Sequence, residues 1–197
     1  MLGDKELAAC IAAIQAGDSQ AMEELYLSYA EAIRRYCYVR LADAEAAQDC
    51  VQEIFVNVWR SIKRFEYRGL ASFAAWLYAI ANNMVINFVR QRQHHPQLSL
   101  SDQWQLTDPR DTAGTVADNL AVRQALHRLT PEQQLVVTLR FFAGLSNEEA
   151  AMTMKRSVGA VKVLQHRALN RLHQLLADER LGPRQRVPAK AAVLAHA

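Results

Sequence analysis

The sequence contains little glycine and proline, with 7 and 5 of these residues in a chain of 197. About half of the residues are hydrophobic, which excludes an intrinsically disordered chain. Alanine, leucine, glutamine, arginine and glutamate are abundant, and these residues favour helices. The composition therefore predicts a globular protein with an all-α fold.

Cysteine is also scarce and has no metal-binding spacing. Cys10, Cys37 and Cys50 are odd in number and form no CxxC motif, so we expect packed, reduced thiols. The adjacent His94 and His95 lie in a polar stretch and have poor geometry for a metal site. We find no GxGxxG, P-loop, HExxH, nucleophile elbow or clustered acid pair. The sequence therefore predicts no enzyme, no cofactor and no metal.

Long apolar runs are absent too. No run approaches the roughly 18 residues that span a bilayer, and the N-terminus MLGDKELAAC lacks the basic and apolar parts of a signal peptide. We therefore expect a cytoplasmic protein with no membrane contact. The net charge of +3 is modest, so nucleic-acid binding must be judged from the distribution of charge.

Helical periodicity divides the chain into two parts. Residues 1–92 form four predicted helices, broken near Asp18, Asp43 and Gly69, and predict a helical bundle. Residues 93–118 are polar and aperiodic, which indicates a flexible linker. Helicity resumes over residues 119–178, and residues 179–197 are expected to be a flexible tail. The sequence thus predicts two small helical domains on a tether.

The second domain carries the signals of a helix-turn-helix. Thr130 precedes Pro131 at one helix start, Ser146 and Glu149 form a capping box at the next, and Ser157 caps a third helix. The third helix has no acidic residue between positions 156 and 177, although the whole protein is nearly balanced in charge. It is therefore either a solvated basic surface or a helix that enters a DNA groove.

The first domain has two surfaces of different character. Glu45, Asp49 and Glu53 form an acidic stripe at helical spacing, which favours water or a basic protein partner over phosphate. Further along, basic and aromatic residues interleave, as binding of single-stranded nucleic acid requires. Phe73 and Trp76 are assigned mainly to packing.

At this point two segments resemble a known family. DCVQEIFVNVWRSIKRF and ASFAAWLYAIANNMVINFVRQR resemble conserved region 2 of bacterial sigma factors. LTPEQQLVVTLRFFAGLSNEEAAMTMKRSVGAVKVLQHRALNRL is similar to their region 4. The order of the two regions, and the lack of others, resembles the extracytoplasmic-function (ECF) sigma factors. The alternative is a stand-alone helix-turn-helix regulator.

The resemblance implies partners and a role for each surface. The partners are core RNA polymerase, promoter DNA (a duplex minus-thirty-five and a single-stranded minus-ten element) and an anti-sigma factor, with no small-molecule substrate. The polymerase clamp would contact Asp49, Gln52 and Glu53. Residues for the minus-ten element and melting would be Arg64, Tyr67, Arg68, Ser72, Asn83, Asn87, Arg90 and Arg92. Residues for the minus-thirty-five element would be Arg140, Arg156, Ser157, Gly159, Lys162, His166 and Arg167.

The chain departs from the family pattern on its last predicted helix. Family members often have a basic residue near position 164 and an apolar one at 165, where this chain has Leu164 and Gln165. Ala160 stands where threonine is common. These differences leave open which side of the helix faces the bases.

Overall fold

The computed structural model describes residues 2–94, 121–122 and 124–181. Within these ranges the chain is helical and has no strand, which confirms the all-α prediction. The helices are α1 (Asp4–Gln15), α2 (Ser19–Leu41), α3 (Ala44–Ser61), α4 (Leu70–His94), α5 (Pro131–Val137), α6 (Asn147–Met154) and α7 (Val158–Leu181). The predicted linker beyond residue 94, the tail beyond residue 181, and the side chains of Arg92, His94 and His95 lie outside the described residues.

Side-chain caps set the predicted boundaries of the bundle. The Asp18 carboxylate accepts hydrogen bonds from the backbone amides of Gln20 (2.8 Å) and Ala21 (3.3 Å) at the start of α2. The Asp43 carboxylate accepts from the Ala46 amide at the start of α3 (2.9 Å). Caps of this kind satisfy amides that lack a partner within the helix. The breaks predicted near Asp18 and Asp43 are therefore confirmed.

Periodicity predicts that the fourth helix runs from Phe73, but α4 begins three residues earlier, at Leu70. Gly69 has a φ of 99°, which turns the chain into the helix, and Asp4 from α1 accepts a hydrogen bond from the Leu70 amide (3.2 Å). A residue 66 positions away thus caps the first turn. A local sequence window cannot contain this cap.

Helix α4 completes the core of the bundle. It packs against α2 and α3, and buries Phe73, Leu77 and Val85. By length and composition alone, residues Leu70–Gln91 could cross a membrane. A helix that covers a hydrophobic core passes the same test, and α4 keeps Asn83 exposed. All three cysteines are buried and free in this core, as predicted.

The second domain forms the predicted helix-turn-helix from α6 and α7. Thr130 and Gln133 form a capping box at α5, and Ser146 and Glu149 form another at α6. One expectation is wrong in detail. The helix that begins at Pro131 does not stay α-helical to Gly144, because Thr138–Phe142 widens into a π-helical turn. Such a turn shifts the direction of the side chains that follow it.

The two domains are in contact with each other. Helix α6 packs against α4, and the turn Thr138–Phe142 packs against α2. Six consecutive residues of α2, Tyr36 to Leu41, are buried, which requires cover on both sides of the helix. The sequence predicted domains on a tether and gave no sign of this contact. Helix α7 also continues to Leu181, past the expected start of the tail at residue 179.

Candidate nucleic-acid interface

A cavity of about 720 Å³ lies where the loop between α3 and α4 meets α4. Small-molecule sites in proteins range from about 300 to 1,000 Å³, so one nucleotide can enter this space. Its lining residues are Asn57, Arg60, Ser61, Arg64, Phe65, Glu66, Arg68, Ser72, Trp76, Ile80, Asn83 and Met84.

Two stacked aromatic rings form one wall of the cavity. The rings of Phe65 and Trp76 lie 4.5 Å apart between centroids, with an angle of 28° between their planes. Phe73 packs behind both at 6.0 and 5.8 Å and is only 1% exposed. Phe73 is thus a core residue, as the sequence predicted. Trp76, however, is only partly buried and also lines the cavity.

Arginines surround this aromatic wall. Arg60, Arg64 and Arg68 all line the cavity, and Arg68 pairs with Glu66 at 2.6 Å. Both partners of that pair are about three-quarters exposed (75% and 77%), so the pair contributes little stability. A phosphate can therefore replace Glu66 at low cost. Cations around an aromatic wall suit a single strand, because charges contact the backbone while rings stack on bases.

The structure brings together four of the predicted minus-ten residues. Arg64, Arg68, Ser72 and Asn83 line the cavity. Asn87 and Arg90 are exposed further along α4 and do not line it.

Tyr67 is directed elsewhere. Its hydroxyl donates a hydrogen bond to the Asp4 carboxylate (2.7 Å), and it does not line the cavity. Burial, followed by that hydrogen bond, raises the pKa of the Tyr67 phenol to about 12. Tyr67 thus ties the loop to α1 and stays protonated at neutral pH.

Sequence reasoning missed four lining residues, namely Asn57, Ser61, Ile80 and Met84. Asn57 donates hydrogen bonds to the Glu53 carbonyl (2.8 Å) and to the Met84 sulfur (3.5 Å), which joins α3 to α4 beside the cavity. A signal was present, because Ser72, Trp76, Ile80 and Met84 recur every four residues and share one side of α4.

The neighbouring Asn82 has a different role from Asn83. Its amide oxygen accepts hydrogen bonds from the Tyr36 hydroxyl and from Arg40, both at 3.4 Å. Arg40 is only 8% exposed, and these bonds compensate for burying its charge. Asn82 therefore joins α4 to α2, whereas Asn83 is free to contact a ligand.

The outer side of α3 carries the predicted acidic stripe. Glu45, Asp49, Gln52 and Glu53 are exposed, while the inner side of the helix is buried. Neither Asp49 nor Glu53 has an ion-pair partner among the described residues. Further along the helix, Val56 and Trp59 are each 41% exposed. Aromatic residues are enriched at protein-binding surfaces, and the rims of such surfaces are polar.

Helix α7 exposes the predicted DNA-binding side chains. Ser157, Gly159, Lys162, His166 and Arg167 are exposed. Helical spacing predicts that Val161, Leu164, Ala168, Leu172 and Leu175 face the core. All of them are buried on the opposite side except Leu164, which is only partly buried. The Ser157 hydroxyl caps the helix by accepting from the Ala160 amide at 3.2 Å.

The remaining predicted residues are held by neighbouring helices. The Arg140 guanidinium donates a hydrogen bond from Nε to the Gln165 side chain at 3.4 Å. Arg156 forms an ion pair with Glu132 of α5. Gln165 therefore points toward the π-helical turn, and Leu164 is partly buried against the core. Of the three departures from the family pattern, Leu164 and Gln165 are thus turned toward neighbouring elements, and Ala160 is partly buried.

Comparisons with known proteins match both parts of the chain to one family. Residues 25–95 match the family model of Sigma-70 region 2, and residues 125–174 match that of Sigma-70 region 4. ECF RNA polymerase sigma factor BldN of Streptomyces coelicolor is 36% identical over 169 residues, which cover 84% of this chain and 64% of BldN. ECF RNA polymerase sigma factor SigD of Mycobacterium tuberculosis is 32% identical over 180 residues, which cover 87% of this chain and 84% of SigD.

A solved structure shares the fold. The sigma factor RpoE from Bartonella quintana, in complex with the anti-sigma factor NepR, aligns with a TM-score of 0.59 and 25% identity. The alignment covers 80% of this chain and 98% of RpoE.

Proposed function

Since the chain belongs to the ECF RNA polymerase sigma factor family, we propose that it binds core RNA polymerase and directs it to promoters with minus-ten and minus-thirty-five elements. Residues 1–92 act as region 2, residues 93–118 as a linker and residues 119–178 as region 4 in this proposal. One observation carries it: α3 joins an unpaired acidic surface at Asp49 and Glu53 to an arginine-rimmed cavity at Asn57 and Arg60. Polymerase and melted DNA would thus be bound side by side.

The cavity is our proposed site for a base that leaves the duplex at the minus-ten element. Extruding a base costs a few kcal/mol, and stacking on an aromatic wall recovers about 1–3 kcal/mol. Phe65 and Trp76 provide the wall, and the surrounding arginines contact the adjoining phosphates. Asn83 provides an amide that can bond a base edge. The protein thereby stabilises the open strand by binding alone, without a catalytic group or cofactor.

Helix α7 is our proposed contact with the minus-thirty-five duplex. Lys162, His166 and Arg167 share its exposed side, and an α-helix fits the major groove of B-DNA. Arg140 and Arg156 stand beside it and contact the DNA backbone in this proposal. The site of action is the cytoplasm, where the polymerase is. The complex of RpoE with an anti-sigma factor supports a protein inhibitor for this chain as well.

Run-off transcription tests the proposed function. Core polymerase from the source organism is mixed with the full chain and a library of its genomic promoter fragments. We expect specific transcripts that core polymerase alone does not give. A stand-alone regulator would instead bind duplex DNA tightly without polymerase and add no transcript. That second result would contradict the proposal.

The cavity gives a separate prediction. Asn83→Ala removes one amide from the cavity, and a lost hydrogen bond of about 1 kcal/mol lowers open-complex formation roughly fivefold. The readout is 2-aminopurine fluorescence at each minus-ten position. Gln91→Ala is the matched control, because it removes an exposed amide two turns further along α4. Equal effects of both variants would exclude the cavity as the base site.

The basic side of α7 gives another prediction. If Lys162 and Arg167 contact phosphates, alanine at either position weakens promoter binding on all sequences and lowers the salt slope of log K by about 1. The measurement is a salt titration of promoter-fragment binding by the holoenzyme. Lys5→Ala on α1 removes an exposed cation away from α7 and is the control. Unchanged slopes for both α7 variants would remove these residues from the interface.

A further inference from the structure

One apolar side chain is exposed within the basic side of α7. Val163 is 52% exposed, although most other branched apolar residues of this domain are buried. Lys162 precedes it, and His166 and Arg167 follow at i+3 and i+4, so all four lie on neighbouring parts of the same surface. A single exposed valine is ordinary elsewhere on a protein. Here it is surrounded by the groups proposed to contact DNA.

The surface next to Val163 is open. Helical side chains lean toward the N-terminus of their helix and cover the preceding turn. The preceding turn contains Gly159, where an added Cβ would meet no atom within 4 Å. The valine methyl groups therefore stand beside a backbone without a side chain. The flat edge of a ligand can therefore contact the Val163 methyl groups and the Gly159 backbone at the same time.

The two residues that follow Val163 are turned away from this open surface. Gln165 is held by Arg140 at 3.4 Å, and Leu164 packs against the core. Among the bases, the major-groove edge of thymine alone carries an apolar group, its C5 methyl. We propose that Val163 is a specificity-determining residue that packs against a thymine methyl in the minus-thirty-five element. This inference rests on the proposed function.

The test is a double-mutant cycle between protein and DNA. Holoenzyme with the wild-type chain first selects its preferred minus-thirty-five element from a randomised library. Each thymine on either strand is then replaced by uracil, which removes only the methyl group. We expect one replacement to weaken wild-type binding about fourfold, as one buried methyl group predicts. The same replacement should leave binding by Val163→Ala unchanged.

Leu169→Ala is the matched control, because Leu169 is a 38% exposed apolar residue on a different side of α7. It should keep the full uracil effect. Two results overturn the assignment and leave the proposed function intact. In the first, the selected element contains no A·T pair; in the second, uracil weakens binding equally for wild type and Val163→Ala. If Val163→Ala instead weakens polymerase binding, the side chain serves a protein contact and the assignment also fails. Absence of any promoter-specific selection by the wild-type holoenzyme overturns both.

Discussion

Reversing one charge on α3 with Asp49→Arg is expected to weaken binding to core RNA polymerase about a hundredfold. The Asp49 carboxylate is exposed and has no ion-pair partner among the described residues, so its charge is available to a basic partner surface. Placing like charges opposite one another across an interface costs several kcal/mol, and about 3 kcal/mol corresponds to roughly a hundredfold in Kd. The fold should be unaffected, since the inner side of α3 is unchanged.

The measurement is the Kd of fluorescently labelled chain for core polymerase at two salt concentrations. Glu23→Arg on α2 is the matched control, because it makes the same change of charge at another exposed carboxylate. Glu53→Arg, one turn from Asp49, should reproduce the loss. Wild-type affinity for both α3 variants would show that polymerase binds another surface, while an equal loss for Glu23→Arg would show a general effect of charge.

Local signals were sufficient to predict where most of the helices begin. Thr130 and Ser146 cap the helices that the sequence assigned to them, and Asp18 and Asp43 cap helices at the predicted breaks, because a cap and its amides lie within three residues of one another. The buried positions of α7 followed from spacing alone for the same reason. The family resemblance is confirmed by both family models.

Contacts between distant segments could not be predicted in this way. The Asp4 carboxylate binds both Tyr67 and the Leu70 amide, which fixes the loop that rims the cavity. Nothing near Tyr67 in the sequence shows this, so Tyr67 resembles a DNA-binding aromatic residue until its partner is known. The sequence also left open whether Gln165 faces the bases, and its hydrogen bond to Arg140 shows that it points toward another part of the domain.

The residues that line the cavity could be predicted from the sequence only in part. Arginines and aromatic residues were visible as an interleaved segment, but Asn57 enters from α3 and Ile80 and Met84 enter from α4. Their shared location depends on how the two helices pack. The sequence thus indicated the chemistry of the site, while the packing of α3 on α4 supplies its shape.

The contact between the domains leads to the second large prediction, that region 2 and region 4 separate when the promoter is bound. Helix α6 rests on α4, and packed helices have axes about 8–10 Å apart. The minus-ten and minus-thirty-five elements are roughly 25 base pairs apart, which at 3.4 Å each is about 85 Å of duplex. One chain cannot contact both elements while α6 touches α4. Because α4 continues to His94, and not only to the predicted residue 92, the stretch available for separation is residues 95–120, and a chain of about 26 residues can extend to about 90 Å, which is enough.

Distances between two spin labels test this separation. Labels at Leu27→Cys in the bundle and Gln174→Cys on α7 use exposed positions, while the three native cysteines are buried. We expect one narrow distance distribution in the free protein and an increase of several tens of ångströms in the promoter complex. A pair within the bundle, Lys5→Cys and Glu23→Cys, should not change. A broad distribution in the free protein would contradict the contact, and an unchanged distance in the promoter complex would contradict reading of both elements by one chain. Because α7 keeps its basic side exposed while α6 is packed on α4, we expect the contact to block simultaneous binding of both elements and to leave α7 accessible to DNA.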